Sequence, residues 1–190
     1  MGSTVNYVRF VSTLASIQRV LRDIIGPHLI KKWKNTIKEN IVSVDETMLP
    51  EVLRIQAEAF DGKNQESLIK YSRKLSKIFY VIKSQDKIAG YCAYYLKPEF
   101  SLKGLKKKSV IYSIAIGKKF QGKGYGRKLL EESIKEMKLN GICSVLLYVN
   151  VENTPAIKLY EKMGFEIVQK TEDICGQSEK CFVMELKLVC

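Results

Sequence analysis

The segment that most constrains this chain is Gln121-Gly122-Lys123-Gly124-Tyr125-Gly126. It lies between an apolar, β-type run at 110–116 and a helical run at 126–139, where Leu130, Ile134 and Met137 share one face. A strand, a glycine turn and a helix in that order leave several main-chain N–H groups converging at the positive end of a helix dipole. Glycine lets the backbone adopt φ > 0 and approach a bulky anion closely. The turn therefore reads as a diphosphate cradle. Lys118, Lys119, Lys123, Arg127 and Lys128 add positive charge around it.

Two common cradles do not fit. A P-loop follows its Gly-Lys with Ser or Thr to hold magnesium, whereas Gly117, four residues, Gly122-Lys123 is followed here by Gly124. A dinucleotide fold wants GxGxxG near the start of a βαβ unit and an acid about 20 residues on. The spacing here is GxGxG in mid-chain, and the corresponding stretch, 142–146, contains no acid.

Around the turn the periodicities give an order of elements. A short strand at 41–44 precedes a helix at 47–60, with Pro50 tolerated in the first turn. Asn64 is positioned to cap a second helix, whose Leu68, Tyr71, Leu75 and Ile78 line one face. A hairpin covers 79–83 and 88–96, and residues 98–108 read as a polar, basic loop. After the helix at 126–139 come a strand at 142–149, a helix opened by Thr154 as cap with Pro155 behind it, and strands at 165–170 and 181–189. The order β-α-α-β-β-β-α-β-α-β-β predicts an α/β (α+β) domain around one mixed sheet.

Residues 1–40 stand apart from this pattern. Val8, Val11, Leu14, Ile17, Leu21 and Ile24 recur at helical spacing, Gly26-Pro27 breaks the run, and a Lys-rich segment follows. The predicted organisation is a basic helical extension over 1–40 and a domain over 41–190. Docking of the extension on its own domain, on a second subunit as a homodimer, or on another partner is left open.

The 32 basic residues against 20 acidic ones give a net charge of +12, a field that draws anions: nucleic acid, an acidic surface or a polyphosphate ligand. No apolar run reaches the roughly 18–20 residues that span a bilayer, and the N-terminus lacks the layout of a signal peptide. The chain is thus expected to be cytoplasmic, with no membrane insertion. Cys92, Cys143, Cys175, Cys181 and Cys190 form no CxxC pair, and His28 is the only histidine, so no metal site is expected. Cys92 and Cys143 read as core thiols, and Cys175 and Cys181 as a facing pair held reduced in a cytosolic protein.

Gln-x-x-Gly-x-Gly after an apolar strand resembles the acyl-CoA loop of the GCN5-related N-acetyltransferase (GNAT) superfamily. Residues 153–165, Asn-Thr-Pro-Ala-Ile-Lys-Leu-Tyr-Glu-Lys-Met-Gly-Phe, resemble its second signature. The resemblance spans about 41–189. It is closest to the ribosomal-protein alanine and N-terminal acetyltransferase branch, including a final Glu-x-x-x-x-Met-Glu-Leu run at 179–186. The fold it implies is a central, mostly antiparallel mixed sheet of six to seven strands with about four flanking helices.

The resemblance also implies a mechanism. Strands 110–116 and 142–149 splay apart, and the pantetheine arm of acetyl-CoA enters the gap against the backbone of Ile114, Ala115 and Ile116. The N–H near Ile114 polarises the thioester carbonyl. Amides from Gln121, Gly122, Lys123, Gly124, Tyr125 and Gly126 hold the diphosphate, Arg127 or Lys128 reaches a phosphate, and Asn153 caps its helix or meets the cofactor arm. Tyr160 matches the family's acid, which protonates the departing sulfur in a direct attack by a primary amine. Acceptor contacts fall on Glu58, Asp61, Tyr112 and Tyr148, with Glu172 and Asp173 as further carboxylates to test. Two departures lie on the acceptor side: Leu147-Tyr148-Val149 replaces a strand that often carries an acid or His, and Thr171-Glu172-Asp173-Ile174 replaces a tyrosine pair. The alternative is a non-catalytic, CoA-binding relative that docks on nucleic acid or a protein partner through its basic extension.

Overall fold

In a computed structural model, residues 26, 28–35, 40–62, 64–101, 104–172, 175 and 178–189 are described. The amphipathic run expected at 8–24 lies outside them. The elements are β1 (Ile41–Ser43), α1 (Leu49–Phe60), α2 (Gln65–Lys74), β2 (Phe79–Ser84), β3 (Lys87–Ser101), β4 (Gly104–Ile116), α3 (Tyr125–Leu139), β5 (Ser144–Asn150), α4 (Thr154–Lys162), β6 (Glu166–Glu172) and β7 (Lys180–Lys187). This is the expected order. The strands form one seven-stranded sheet, β1-β2-β3-β4-β5-β7-β6, in which only β4 and β5 run parallel.

The sheet is covered on both faces. On the α3 and α4 side, Leu129, Leu130 and Met137 of α3 meet Tyr80, Cys92, Tyr94, Leu147 and Met184 of the sheet, all nearly or fully buried. On the other face, Val52 and Ile55 of α1 and Leu68 of α2 meet Phe79, Val81 and Tyr91 of the sheet. The alternation of the strands and the helical spacing of α1 to α3 deliver these side chains inward. Residues 28–35 of the extension lie on the α3 side, where Ile30 and Trp33 complete the core. The indole N–H of Trp33 donates to the buried Glu136 at 2.7 Å.

Several local expectations are corrected. Residues 98–108 are not a loop: β3 and β4 pair from Ser101 and Gly104 through Lys97 and Lys108, so the hairpin projects past the sheet. Asn64 precedes α2 at φ 67° but makes no side-chain cap bond. Asn153, rather than Thr154, caps α4 by accepting from the Ala156 N–H; Pro155 holds its expected place. Cys92 is a buried free thiol, but Cys143 is half-buried and disulfide-bonded. Cys175 and Cys181 are bonded to each other rather than reduced, because the β6–β7 connection brings their Cα atoms to 6.2 Å.

Candidate active site

The parallel pair β4–β5 is in register at only three positions, Lys108 with Ser144, Ser109 with Val145 and Val110 with Leu146. Beyond Val110 the strands part. The cause is visible in the β3–β4 ladder: Ala93 faces Ser113 and Tyr94 faces Ile111, so Tyr112 is an extra residue. A bulge of this kind bends its strand and increases the local twist.

Ladder parity fixes what the gap presents. Gly117 N–H donates to the Ala89 carbonyl at 2.9 Å, which makes Ala115 with Tyr91 the next hydrogen-bonded pair. The main-chain groups of Ile114 and Ile116 therefore point away from β3, toward the opening. The Ile116 carbonyl is taken by the Gln121 side-chain amide at 2.9 Å. The backbone of Ala115 is spent on Tyr91, so of the three residues expected to face a ligand only Ile114 and Ile116 do so through their main chain.

The glycine turn closes one end of this gap. Residues 118–120 form a 3-10 turn, with Phe120 N–H on the Gly117 carbonyl at 2.8 Å. Gly122 and Gly124 follow at φ 72° and 81°, and a Cβ at either would meet nothing within 4 Å. Gly124 is the N-cap of α3, whose first helical bond runs from Lys128 N–H to Gly124. Among the described residues, the N–H groups from Gly122 to Arg127 therefore have no main-chain acceptor. Six amides beside open space, at the positive end of a 15-residue helix, fit a diphosphate.

The side chains of the turn have separate duties. Tyr125 donates its hydroxyl to Ser84 Oγ at 2.6 Å and meets Phe120 edge-on, which pins the turn to the end of β2. Lys123 Nζ donates to the Lys119 carbonyl at 2.9 Å. Arg127 pairs with Glu131 at 2.7 Å, and Lys128 stays exposed. Gly126 sits where a Cβ would touch Ile116 and Leu159 at 3.5 and 3.6 Å, so α3 starts close against β4 and α4.

Tyr160 projects from α4 into the sheet and is 6% exposed, with its ring 5.8 Å from Phe165. Burial pushes its phenol well above the usual tyrosine value, and the nearby Cys92 thiol adds to the shift. Cys92 is the register partner of Ile114, and Tyr160, Cys92 and Ile114 belong to the same apolar cluster on the α3–α4 face of the sheet. Among the described residues its hydroxyl makes no hydrogen bond. Burial likewise pushes the Cys92 thiol up to about 12, which makes it a poor nucleophile.

The expected acceptor residues do not converge on one point. Glu58 is held by Arg54, which also pairs with Glu51 at 2.6 Å. Asp61 is the left-handed C-cap of α1. Glu172 pairs in register with Lys180 on the exposed β6, and Asp173 lies outside the described residues. Tyr112, at the bulge, packs on Tyr71 with centroids 4.4 Å apart, and Tyr71 stacks on Tyr95 at 6.4 Å. Tyr95 and Tyr148 flank Val110, Leu146 and Val183 on the same face. Tyr71, Tyr95, Tyr112 and Tyr148 thus make an aromatic wall beside the opening. Periodicity assigned Tyr71 to a core face and left Tyr95 unremarked, because cross-element stacking leaves no local signal.

Comparison with known proteins adds four findings. The family model described as acetyltransferase (GNAT) family matches residues 46–165. The N-alpha-acetyltransferase of Sulfurisphaera tokodaii is 30% identical over 125 residues, 63% of this chain and 75% of that protein. The mycothiol acetyltransferase of Kocuria rhizophila is 39% identical over 56 residues, 30% of this chain, and the match spans only 18% of that longer protein. Among solved structures, the ribosomal-protein-S18-alanine N-acetyltransferase from Escherichia coli superposes with a TM-score of 0.61 at 25% identity, covering 79% of this chain and 94% of that one.

Proposed function

Because the chain belongs to the acetyltransferase (GNAT) family, we propose that it is an acetyl-CoA-dependent N-acetyltransferase acting on a primary amine by direct attack in a ternary complex. The observation that carries this is the run of unpaired amides from Gly122 to Arg127 opening onto the parted β4 and β5. Acetyl-CoA supplies the activated thioester. The amides of the turn hold the diphosphate, and the Ile114 and Ile116 main chain receives the pantetheine arm as a further strand. The Ile114 N–H donates to the thioester oxygen, where negative charge develops. Tyr160, a phenol protonated at neutral pH, donates its proton to the departing sulfur, and the proton shed by the attacking nitrogen passes to solvent, which reprotonates Tyr160.

The acceptor reading follows from the carboxylates. Glu58, beside the turn, contacts both Arg54 and the Lys118 amide, the latter at 3.5 Å, so its oxygens are already engaged. A lysine with pKa about 10.4 costs about 4–5 kcal/mol to neutralise at pH 7, and an α-amine with pKa about 8 costs only about 1–1.5 kcal/mol. A site with little basic help suits an α-amine. Support comes from the likeness to an N-alpha-acetyltransferase and from the tyrosine wall, which offers apolar faces and hydroxyls to a peptide side chain.

Titration calorimetry with acetyl-CoA, run beside thiol release on peptides, lysine derivatives, polyamines and other small amines, tests this. The expected result is tight binding and fastest release on peptide α-amines. Binding with no release on any acceptor would instead favour a CoA-binding protein without catalysis.

A further inference from the structure

The cofactor loop accounts for the charge at one end of α3. The other end carries a second basic surface. Asn140, after the last turn of α3, accepts from the Lys34 N–H at 2.8 Å and donates to the Lys34 carbonyl at 3.0 Å. Cys143 N–H donates to the Lys107 carbonyl at 2.8 Å, and Leu188 N–H to the Cys143 carbonyl at 2.8 Å. These bonds join the extension, the end of α3, the projecting β3–β4 hairpin and the end of β7 into one continuous surface. Lys32, Lys34, Lys106 and Lys138 are exposed on it, and Lys107 is half-buried beside Gly141.

The acids of this region do not offset those lysines. Glu136 is buried under Trp33 and Tyr80, and Glu99 and Glu185 are both held by Lys108, at 3.0 and 3.5 Å. Among the described residues no carboxylate pairs with Lys32, Lys34, Lys106, Lys107 or Lys138. Three aliphatic side chains sit among them unusually exposed: Leu139 at 63%, Val189 at 82% and Leu105 at 39%.

We propose that this pole is a docking surface for an anionic phospholipid bilayer, engaged peripherally and without insertion of a spanning segment. A polyanion is required by the charge. Lipid is favoured over nucleic acid by the residue types: lysine ammoniums and aliphatic tips suit headgroups above an acyl boundary. Nucleic-acid surfaces draw on arginine forks, and no arginine lies among the described residues of this pole. The glycine turn lies at the opposite end of a helix of 15 residues, so docking leaves the cofactor entrance facing water.

The test is cosedimentation of the full-length protein with vesicles of phosphatidylcholine alone or with about a third phosphatidylglycerol, at low and high salt. Beside it, binding to a short single-stranded RNA is read by anisotropy. Partitioning onto the anionic vesicles is expected to exceed that onto neutral ones and to fall with salt. Each lysine removed is expected to cost about fivefold, so K34Q/K107Q/K138Q drops partitioning about a hundredfold, with the melting temperature and acetyl-CoA affinity kept. Leu139→Ser is expected to weaken binding with its salt dependence unchanged. Equal binding to both vesicles, an unaltered triple variant, or tighter binding to the RNA than to the anionic vesicles would overturn the proposal. Retained acetyl-CoA binding in the triple variant keeps this outcome separate from the catalytic reading.

Discussion

Trp33 and Glu136 meet at 2.7 Å although 103 residues separate them. The same Glu136 oxygen accepts from the Tyr80 hydroxyl at 2.7 Å. A carboxyl group that is 1% exposed is tolerable only with such donors. The contact ties the extension to the helix whose first turn carries the glycine cradle.

Trp33→Phe removes one donor and leaves the Glu136 carboxyl with less compensation, for a loss of about 1–3 kcal/mol. Glu136→Ala is expected to cost more than Glu136→Gln, which keeps an acceptor for both donors. Urea unfolding measures both. Trp33 is the only tryptophan, so its fluorescence reports this contact directly. Coincident fluorescence and circular-dichroism transitions are expected, and an earlier fluorescence transition would show that the extension is not part of the cooperative core.

Gly124→Ala places a Cβ at φ 81°, a strain of about 1–2 kcal/mol. Gly104 carries φ 103° in the hairpin, far from the turn, and also has open space around it. Both alanine variants should lose a few degrees of melting temperature. Only Gly124→Ala should weaken acetyl-CoA binding by calorimetry, and equal losses of affinity would remove the turn's special role.

Tyr160→Phe keeps the buried ring and its packing on Phe165 but deletes the proton donor. We expect kcat to fall at least tenfold, in the range of general-acid effects, with acetyl-CoA affinity nearly unchanged. Steady-state kinetics and titration calorimetry together separate the two. A preserved kcat would exclude Tyr160 as the acid.

Burial raises the phenols of Tyr80, Tyr94 and Tyr160 above the ordinary tyrosine value and pushes Cys92 up to about 12. Each group holds its proton more tightly folded than unfolded. The stability so contributed is fully present below the unfolded values, near 9.0 for the thiol and 10.0 for the phenols, and is lost progressively as pH rises from them toward the higher folded values. Urea midpoints should be flat between pH 7 and about 8.5 and fall steadily above that. An alkaline plateau extending past the tyrosine range would contradict the burial of these hydroxyls.

Some of this was legible beforehand because it is local. Pro50 and Pro155 mark helix starts, Gly122 and Gly124 mark positive φ, and periods of two and 3.6 give the order of eleven elements. The β3–β4 extension was not legible, because residues 98–108 carry the lysines and the Pro98 that ordinarily signal a loop. The Cys175–Cys181 bond depends on how the β6–β7 connection returns, which residue spacing does not specify.

The sequence by itself determined the strand–glycine turn–helix unit, the family resemblance built on 121–126 and 153–165, and the excess of positive charge. These rest on backbone preferences and on contacts within a few residues. The tertiary structure alone decided that Tyr112 bulges out and parts β4 from β5, and that Ala115 is spent on Tyr91 while Ile114 faces the gap. It also set Tyr71, Tyr95 and Tyr148 into one wall and drew Trp33 onto Glu136. Ladder register and cross-element packing are fixed by many distant contacts satisfied together, and no single stretch of chain carries that information.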